Sequence, residues 1–365
     1  MRILLCVPRG CGFNDAMCQI WQSFHYAVQT KRELLIDTRF CGLADDLSYY
    51  FQTVTTNMMQ RVPTQIDMRN VDLQALNHFT CYPSVFRGAL DLIGHRFLAG
   101  SIASTTDYGQ SFFSHISRML RYINRPSSEL LPIRKWRFLW LSFRLSMRAP
   151  NMHCTVNRPE SVVIHHRSGG GLDSVKALSM FQLNVSIRED IFERLRLLGQ
   201  DYDAVHIRHT DYKTDYELLI NSLQLKLVGR TVLVCSDNYK VIEYAKSRLT
   251  ASNVVCVASP NELSIDTDTF RPAHYHWHLP LNERRLRNIT MLTDLIGMAR
   301  AKNLYFGDVT RSFVPQVSFM RKLGLFILPK KVSLDNAWSY AEPSGFAALA
   351  SALHKHPAIL NRFVG

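Results

Sequence analysis

Three short segments carry side chains suited to a phosphorylated ligand. The first is His206-Ile207-Arg208-His209-Thr210-Asp211, which ends a run of strand-forming residues. Strand alternation sends His206 and Arg208 to one side and Val205 and Ile207 to the other. An arginine at that place has a permanently charged fork of donors that matches a diphosphate. On an edge strand the same arginine would simply face water, and these residues alone do not choose. The second segment, Ser236-Asp237-Asn238, follows the next strand and also suits the start of a helix. The third is the turn Gly307-Asp308-Val309-Thr310-Arg311-Ser312. It opens a helix, where free backbone N–H groups and hydroxyls suit phosphate oxygens.

Two further clusters compete for attention. Asp266-Thr267-Asp268 has the form of a metal-binding DxD. It follows no evident strand, and Asp201-Tyr202-Asp203 repeats the pattern elsewhere, so no metal site is read there. His274-Tyr275-His276-Trp277-His278 would align three imidazoles if extended, as a zinc site requires. It lies in a polar loop ahead of a helix. Contact of His276 and Trp277 with a bound ligand, or plain loop structure, accounts for it better than a metal.

Strands and helices alternate in two regions, the pattern of a parallel α/β sheet. Ile3 to Val7 reads as a strand running into the glycine loop around Gly10 and Gly12. A helix follows, with Met17, Ile20, Trp21, Phe24, Ala27 and Val28 on one face. Glu33 to Asp37 and Val162 to His166 supply further strands, while residues 40–150 read as inserted helices and long loops. In the second region Ser186-Ile187-Arg188-Glu189 resembles a capping box. Strands follow at 204–208, 231–235, 254–258, 303–307 and 325–328, with helices between them. The strand ending in Arg208 should be central. The division is expected near 175–185, giving an N-terminal domain over 1–180 and a C-terminal domain over 181–365. Ligands of such sheets gather at the carboxyl ends of the strands.

The chain has 365 residues, 47% hydrophobic and 20% charged, a composition that excludes a disordered protein. A net charge of +13 points to acidic partners without choosing among them. Eight cysteines form no CxxC pair and several sit in apolar runs, so reduced thiols and a cytoplasmic protein are expected. No secretory signal or membrane span is read. The basic, aromatic stretch from Trp136 to Met147 suits either a packed amphipathic helix or peripheral contact with a membrane. A nucleic-acid partner is not expected, because the basic residues are scattered and no recognition motif is present.

Taken in order, these strand ends resemble the fucosyltransferases of the NodZ and core α-1,6 type and their distant protein O-fucosyltransferase relatives. His206 to Asp211 matches a strand ending in His-x-Arg-(Arg)-x-Asp, and Ser236-Asp237 matches a second strand's Ser/Thr-Asp step. Asp294 in a helix, the strand 303–307 and Thr310 match the third motif. The N-terminal glycine loop and Leu34-Leu35-Ile36-Asp37 add to the likeness, which covers about two thirds of the chain. The resemblance implies a GT-B fold of two Rossmann-like domains facing a cleft, a GDP-fucose donor, inversion at the anomeric carbon, no cofactor and no metal. It implies that Arg208 binds the diphosphate, His206 and Asp294 the guanosine part, Asp237 the donor site and Thr310 a phosphate. Gly12, His209, Ser236 and Ser312 complete the implied donor site. Arg208 and Asp211 are the implied catalytic residues of the first motif. The chain departs from the pattern at His209, Val309 and Tyr216, the last moving a base role to Asp215 or Glu217. The expected function is transfer of fucose from GDP-fucose to an N-acetylglucosamine-containing saccharide. The alternatives are a same-fold transferase using another nucleotide sugar and a non-catalytic nucleotide-sugar-binding protein.

Overall fold

The computed structural model describes residues 2–8, 12–39, 41–54, 65–88, 90, 156–165, 173–209, 214–258, 279–307 and 344–365. Its first part contains β1 (Ile3–Cys6), α1 (Phe13–Thr30), β2 (Glu33–Ile36), α2 (Leu47–Tyr50), β3 (Phe51–Thr53), β4 (Ile66–Asp67), β5 (Cys81–Tyr82) and β6 (Val162–His165). Next come α3 (Asp173–Leu178), β7 (Phe181–Leu183) and α4 (Val185–Leu195). The strands β4-β2-β1-β6-β5 form one sheet in that order, every pair parallel. Two-residue strands β4 and β5 are too short to show a period. The sequence reading therefore assigned this part of 40–150 to helices and loops, whereas the structure adds both strands to the sheet. β3 and β7 pair antiparallel, apart from it.

The second part holds β8 (Tyr202–Ile207), α5 (Tyr216–Leu223), β9 (Thr231–Ser236), α6 (Tyr239–Arg248), β10 (Asn253–Val255), α7 (Leu281–Arg300) and β11 (Leu304–Phe306). Its sheet runs β10-β9-β8-β11, again wholly parallel. Parallel sheets are covered on both faces, and every residue of β1, β6 and β8 is buried. Tyr202 and Ala204 face a core shared with β1, α1 and α7, whereas Val205 and Ile207 face α5 and α6. This is the two-sheet α/β architecture expected from the sequence, and β8 is flanked on both sides, as expected. The edge-strand alternative for Arg208 is thereby removed. The capping-box reading is corrected: the helix α4 begins at Val185 with Asn184 at its N-cap and no side-chain cap bond. The Asn184 amide instead donates to the carbonyls of Ser48 and Tyr49 at 2.9 and 2.8 Å.

The last helices, α8 (Gly345–Lys355) and α9 (Pro357–Val364), return to the first part of the chain, with Phe363 packed 5.6 Å from Phe51 between ring centroids. A polar seam also ties α7 to the segment after β2. Arg285 pairs with buried Asp45 at 2.9 Å, Tyr50 donates to the same carboxylate at 3.0 Å, and Asn288 donates to Leu43 and Tyr50. Six of the cysteines lie among the described residues and are free thiols. No described helix is long and apolar enough to cross a membrane. The stretch from Trp136 to Met147 lies outside the described residues.

Candidate functional site at the carboxyl edge of the second sheet

β8, β9 and β11 run parallel, so their carboxyl ends emerge at one edge, and each carries one of the motifs. Arg208 directly follows β8 and Asp237 directly follows β9. Their side chains form an ion pair, Arg208 Nε to Asp237 Oδ2 at 3.1 Å, each about a quarter exposed (26% and 25%). The other oxygen of Asp237 accepts the backbone N–H of His209 at 2.8 Å. Asn238 adds a bond from its amide to the His209 carbonyl at 3.4 Å, while its oxygen caps α6 by accepting from Lys240 N at 3.0 Å. The Ser236 hydroxyl accepts from the backbone N–H of Asn238 at 3.2 Å. The helix-start reading of this segment is therefore correct, with Asn238 as the cap, and Asp237 and Asn238 also clamp the chain leaving β8.

His206 lies inside the edge. It is 8% exposed, and its ring packs 5.7 Å from that of Phe346. Burial, reinforced by the nearby Arg208 charge, pushes its pKa down to about 3, so it is neutral near pH 7. The linkage has a definite sign. Below its unfolded value of about 6.5, the unfolded chain takes up a proton that the native His206 refuses. This contribution to stability is complete above that value and is lost towards pH 3, by about 1.4 kcal/mol per pH unit. Urea unfolding of wild type and His206→Gln at pH 7 and pH 5 checks this. The wild type should lose about 2 kcal/mol more than the variant over that interval; equal losses would contradict a buried neutral imidazole.

His209 is held differently. Its Nδ1 lies 3.2 Å from the Thr214 carbonyl, and its ring meets Tyr216 edge-on at 4.8 Å. Gly307, just past β11, closes the other side. A Cβ there would collide with Thr214 Cγ2, so the glycine permits the close approach of the chain returning from β8. Asp294 on α7 is hydrogen-bonded to the Cys235 thiol beneath the end of β9, and burial raises the Cys235 pKa well above its ordinary value.

The proposed base residues separate. Asp215 is the N-cap of α5, accepting from Leu218 N at 3.0 Å. Glu217 is exposed in the first turn of the same helix. Gly12 precedes α1 as an exposed N-cap, and a Cβ there would meet nothing within 4 Å, so folding does not require glycine at this position. Asp211, His276, Trp277, Thr310 and Ser312 lie outside the described residues, as do Asp266 and Asp268. The other DxD is structural: Arg230 bonds Asp203 at 2.9 Å and Asp201 at 2.8 Å, at the amino edge of the sheet. Among the described residues no group of three or more His, Cys, Asp or Glu is placed to hold a metal.

Comparison with known proteins finds structural likeness at low sequence identity. The chain is similar to fucosyltransferase NodZ from Bradyrhizobium, with 14% identity and a TM-score of 0.45 over 83% of this chain and 88% of that one. It is also similar to NodZ alpha-1,6-fucosyltransferase soaked with GDP-fucose, with 14% identity and a TM-score of 0.47 over 89% and 92%. POFUT1 in complex with GDP-fucose gives 12% identity and a TM-score of 0.36 over 83% and 90%. No protein-family model and no curated protein matches the chain.

Sequence reasoning missed two contributors to this edge, Asn14 and Phe346. The side chain of Asn14 accepts from Ser174 at 2.7 Å and lies 3.1 Å from where a Cβ on Gly345 would stand. The start of α8 therefore bridges the N-terminus of α1 and the end of β8. A local signal was available in Ser344, whose hydroxyl caps α8 by accepting from Ala347 N at 3.2 Å. What was not local is that this helix returns to His206.

Proposed function

We propose that the chain is a glycosyltransferase that moves fucose from GDP-fucose to an N-acetylglucosamine-containing saccharide, with inversion and without a catalytic metal. The observation that carries this reading is the placement of Arg208. It stands at the carboxyl end of an internal strand, oriented by Asp237, beside the strand end at Gly307 that leads to Thr310 and Ser312. Ligands of parallel α/β sheets bind at this edge, and the motif order is that of the fucosyltransferases.

In this mechanism Arg208, with the hydroxyls of Thr310 and Ser312, holds the diphosphate and stabilises its growing charge as it leaves. His206, neutral and tilted against Phe346, and Asp294 border the guanosine part. The acceptor hydroxyl loses its proton to a carboxylate. With Asp215 engaged in capping α5, we place that role on Asp211 or Glu217. His276 and Trp277 contact the acceptor.

Ligand-dependent thermal unfolding tests the donor. A ligand of the native state raises the apparent stability, so GDP should raise the melting temperature more than UDP or CMP. Equal or greater stabilisation by UDP would remove GDP as the nucleotide. Release of fucose from GDP-fucose in excess EDTA separates a metal-independent enzyme from a binding protein. Retention of donor without turnover favours the binding protein.

A further inference from the structure

We infer that Asp237 is a positioning residue for Arg208 and not itself a ligand of the donor. This inference rests on the donor reading above. A carboxylate within reach of a diphosphate repels it, so Asp237 cannot serve as a phosphate ligand. Its two oxygens have other partners: Oδ2 takes Arg208 Nε at 3.1 Å and Oδ1 takes His209 N at 2.8 Å. One side chain thus holds both the guanidinium and the peptide that follows it. A guanidinium gripped at Nε has its outer nitrogens aimed in one direction, which sets the fork that a diphosphate meets. The grip is itself anchored. Asn238, the next residue, bonds the His209 carbonyl and caps α6, so Asp237 stands on a rigid strand-to-helix junction. The pair lies at the surface of the edge, each side chain about a quarter exposed, where a ligand can reach it. Holding the guanidinium in place before the ligand arrives lowers the ordering cost of binding. The short strand-to-helix step after β9 therefore serves the residue at the end of β8.

The variant that isolates this role is Asp237→Asn. Its carbonyl oxygen can still accept from His209 N, but the amide nitrogen turned toward Arg208 Nε cannot accept. Calorimetric titration with GDP should show about tenfold weaker binding by Asp237→Asn, the equivalent of one charge-assisted hydrogen bond. In an Arg208→Ala background the same substitution should not weaken the affinity, because a residue acting through Arg208 has nothing left to act on and the change only removes a carboxylate that repels the diphosphate. An equal factor in both backgrounds would overturn the inference and make Asp237 an independent ligand. A second readout does not depend on the nucleotide. The Arg208 Nε–H resonance should be sharp and slow to exchange in wild type and lost to exchange in Asp237→Asn. Persistence of that resonance in the variant would overturn the inference. Failure of wild type to bind GDP would remove the donor reading alone, with the Nε–H resonance still deciding for or against the pairing.

Discussion

Arg208→Ala should bind GDP roughly two orders of magnitude more weakly than wild type while remaining folded. Each charge-assisted bond from a guanidinium to a phosphate contributes about 1.5–3 kcal/mol where water is excluded, and the fork makes two. The residue after it is His209, whose backbone is clamped by Asp237 and Asn238 and whose ring packs on Tyr216. No second fixed charge follows in the motif to take over. Lysine keeps the charge but loses both the fork and the Nε that Asp237 grips, so Arg208→Lys should also be severely impaired. Turnover should fall at least as far as binding, because charge on the leaving diphosphate grows in the transition state. The measurement is calorimetric titration of GDP against wild type and both variants, with circular dichroism to verify folding. Folded Arg208→Ala that binds GDP as tightly as wild type would remove the donor site from this edge, and the fucosyltransferase reading with it.

The largest loss of stability is expected at the opposite edge of the other sheet. Arg32 precedes β2 and is 1% exposed, the largest fully buried side chain among the described residues. Its guanidinium donates to the carbonyls of Ile3, Glu160 and Ser161 at 3.3, 2.9 and 3.3 Å, and also to that of Arg158. One side chain thereby joins the amino ends of β2, β1 and β6, and fastens the chain where it re-enters the sheet. Truncation removes one donor from each carbonyl; that of Ser161 keeps Ile3 N at 2.7 Å and that of Arg158 keeps Arg2 at 2.8 Å. The cost therefore falls on Ile3 and Glu160, at about 1–3 kcal/mol for a group left unsatisfied, and Arg32→Ala also leaves a cavity. Arg32→Met keeps most of the volume and should lose about 2 kcal/mol or more. Arg32→Ala should lose more, by the cavity contribution. Urea denaturation midpoints of the three proteins decide it. An Arg32→Met variant as stable as wild type would mean that these carbonyls find water or other donors.

Neither of these residues could be ranked from its own neighbours in the chain. Arg32 sits between a lysine and a glutamate and reads as an exposed charge; only the return of residues 158–161 beneath β1 buries it. Arg208 was recognisable as a candidate because strand alternation and position at a strand end are local. Its flanking by β9 and β11, which decides between a ligand site and a solvent-facing edge, is long-range.

The sequence by itself determined the α/β class, the run of strands from β8 to β11 and the segments at their carboxyl ends. The reason is that side-chain periods of two and 3.6 are written into consecutive residues. It also determined that Ser236-Asp237-Asn238 would start a helix, since capping is a bond within a few residues. Tertiary structure alone decided the rest. Two-residue strands β4 and β5 exist because β2 and β6 offer them edges. Asp215 caps its own helix, whereas Asp237 reaches back to residues 208 and 209 across the sheet. Phe346 meets His206 only because α8 folds back over the edge, 140 positions along the chain from its partner. A carboxylate, an imidazole or a guanidinium has the same chemistry wherever it occurs. What it does is set by which groups the fold brings within about 3 Å and how much water the fold removes.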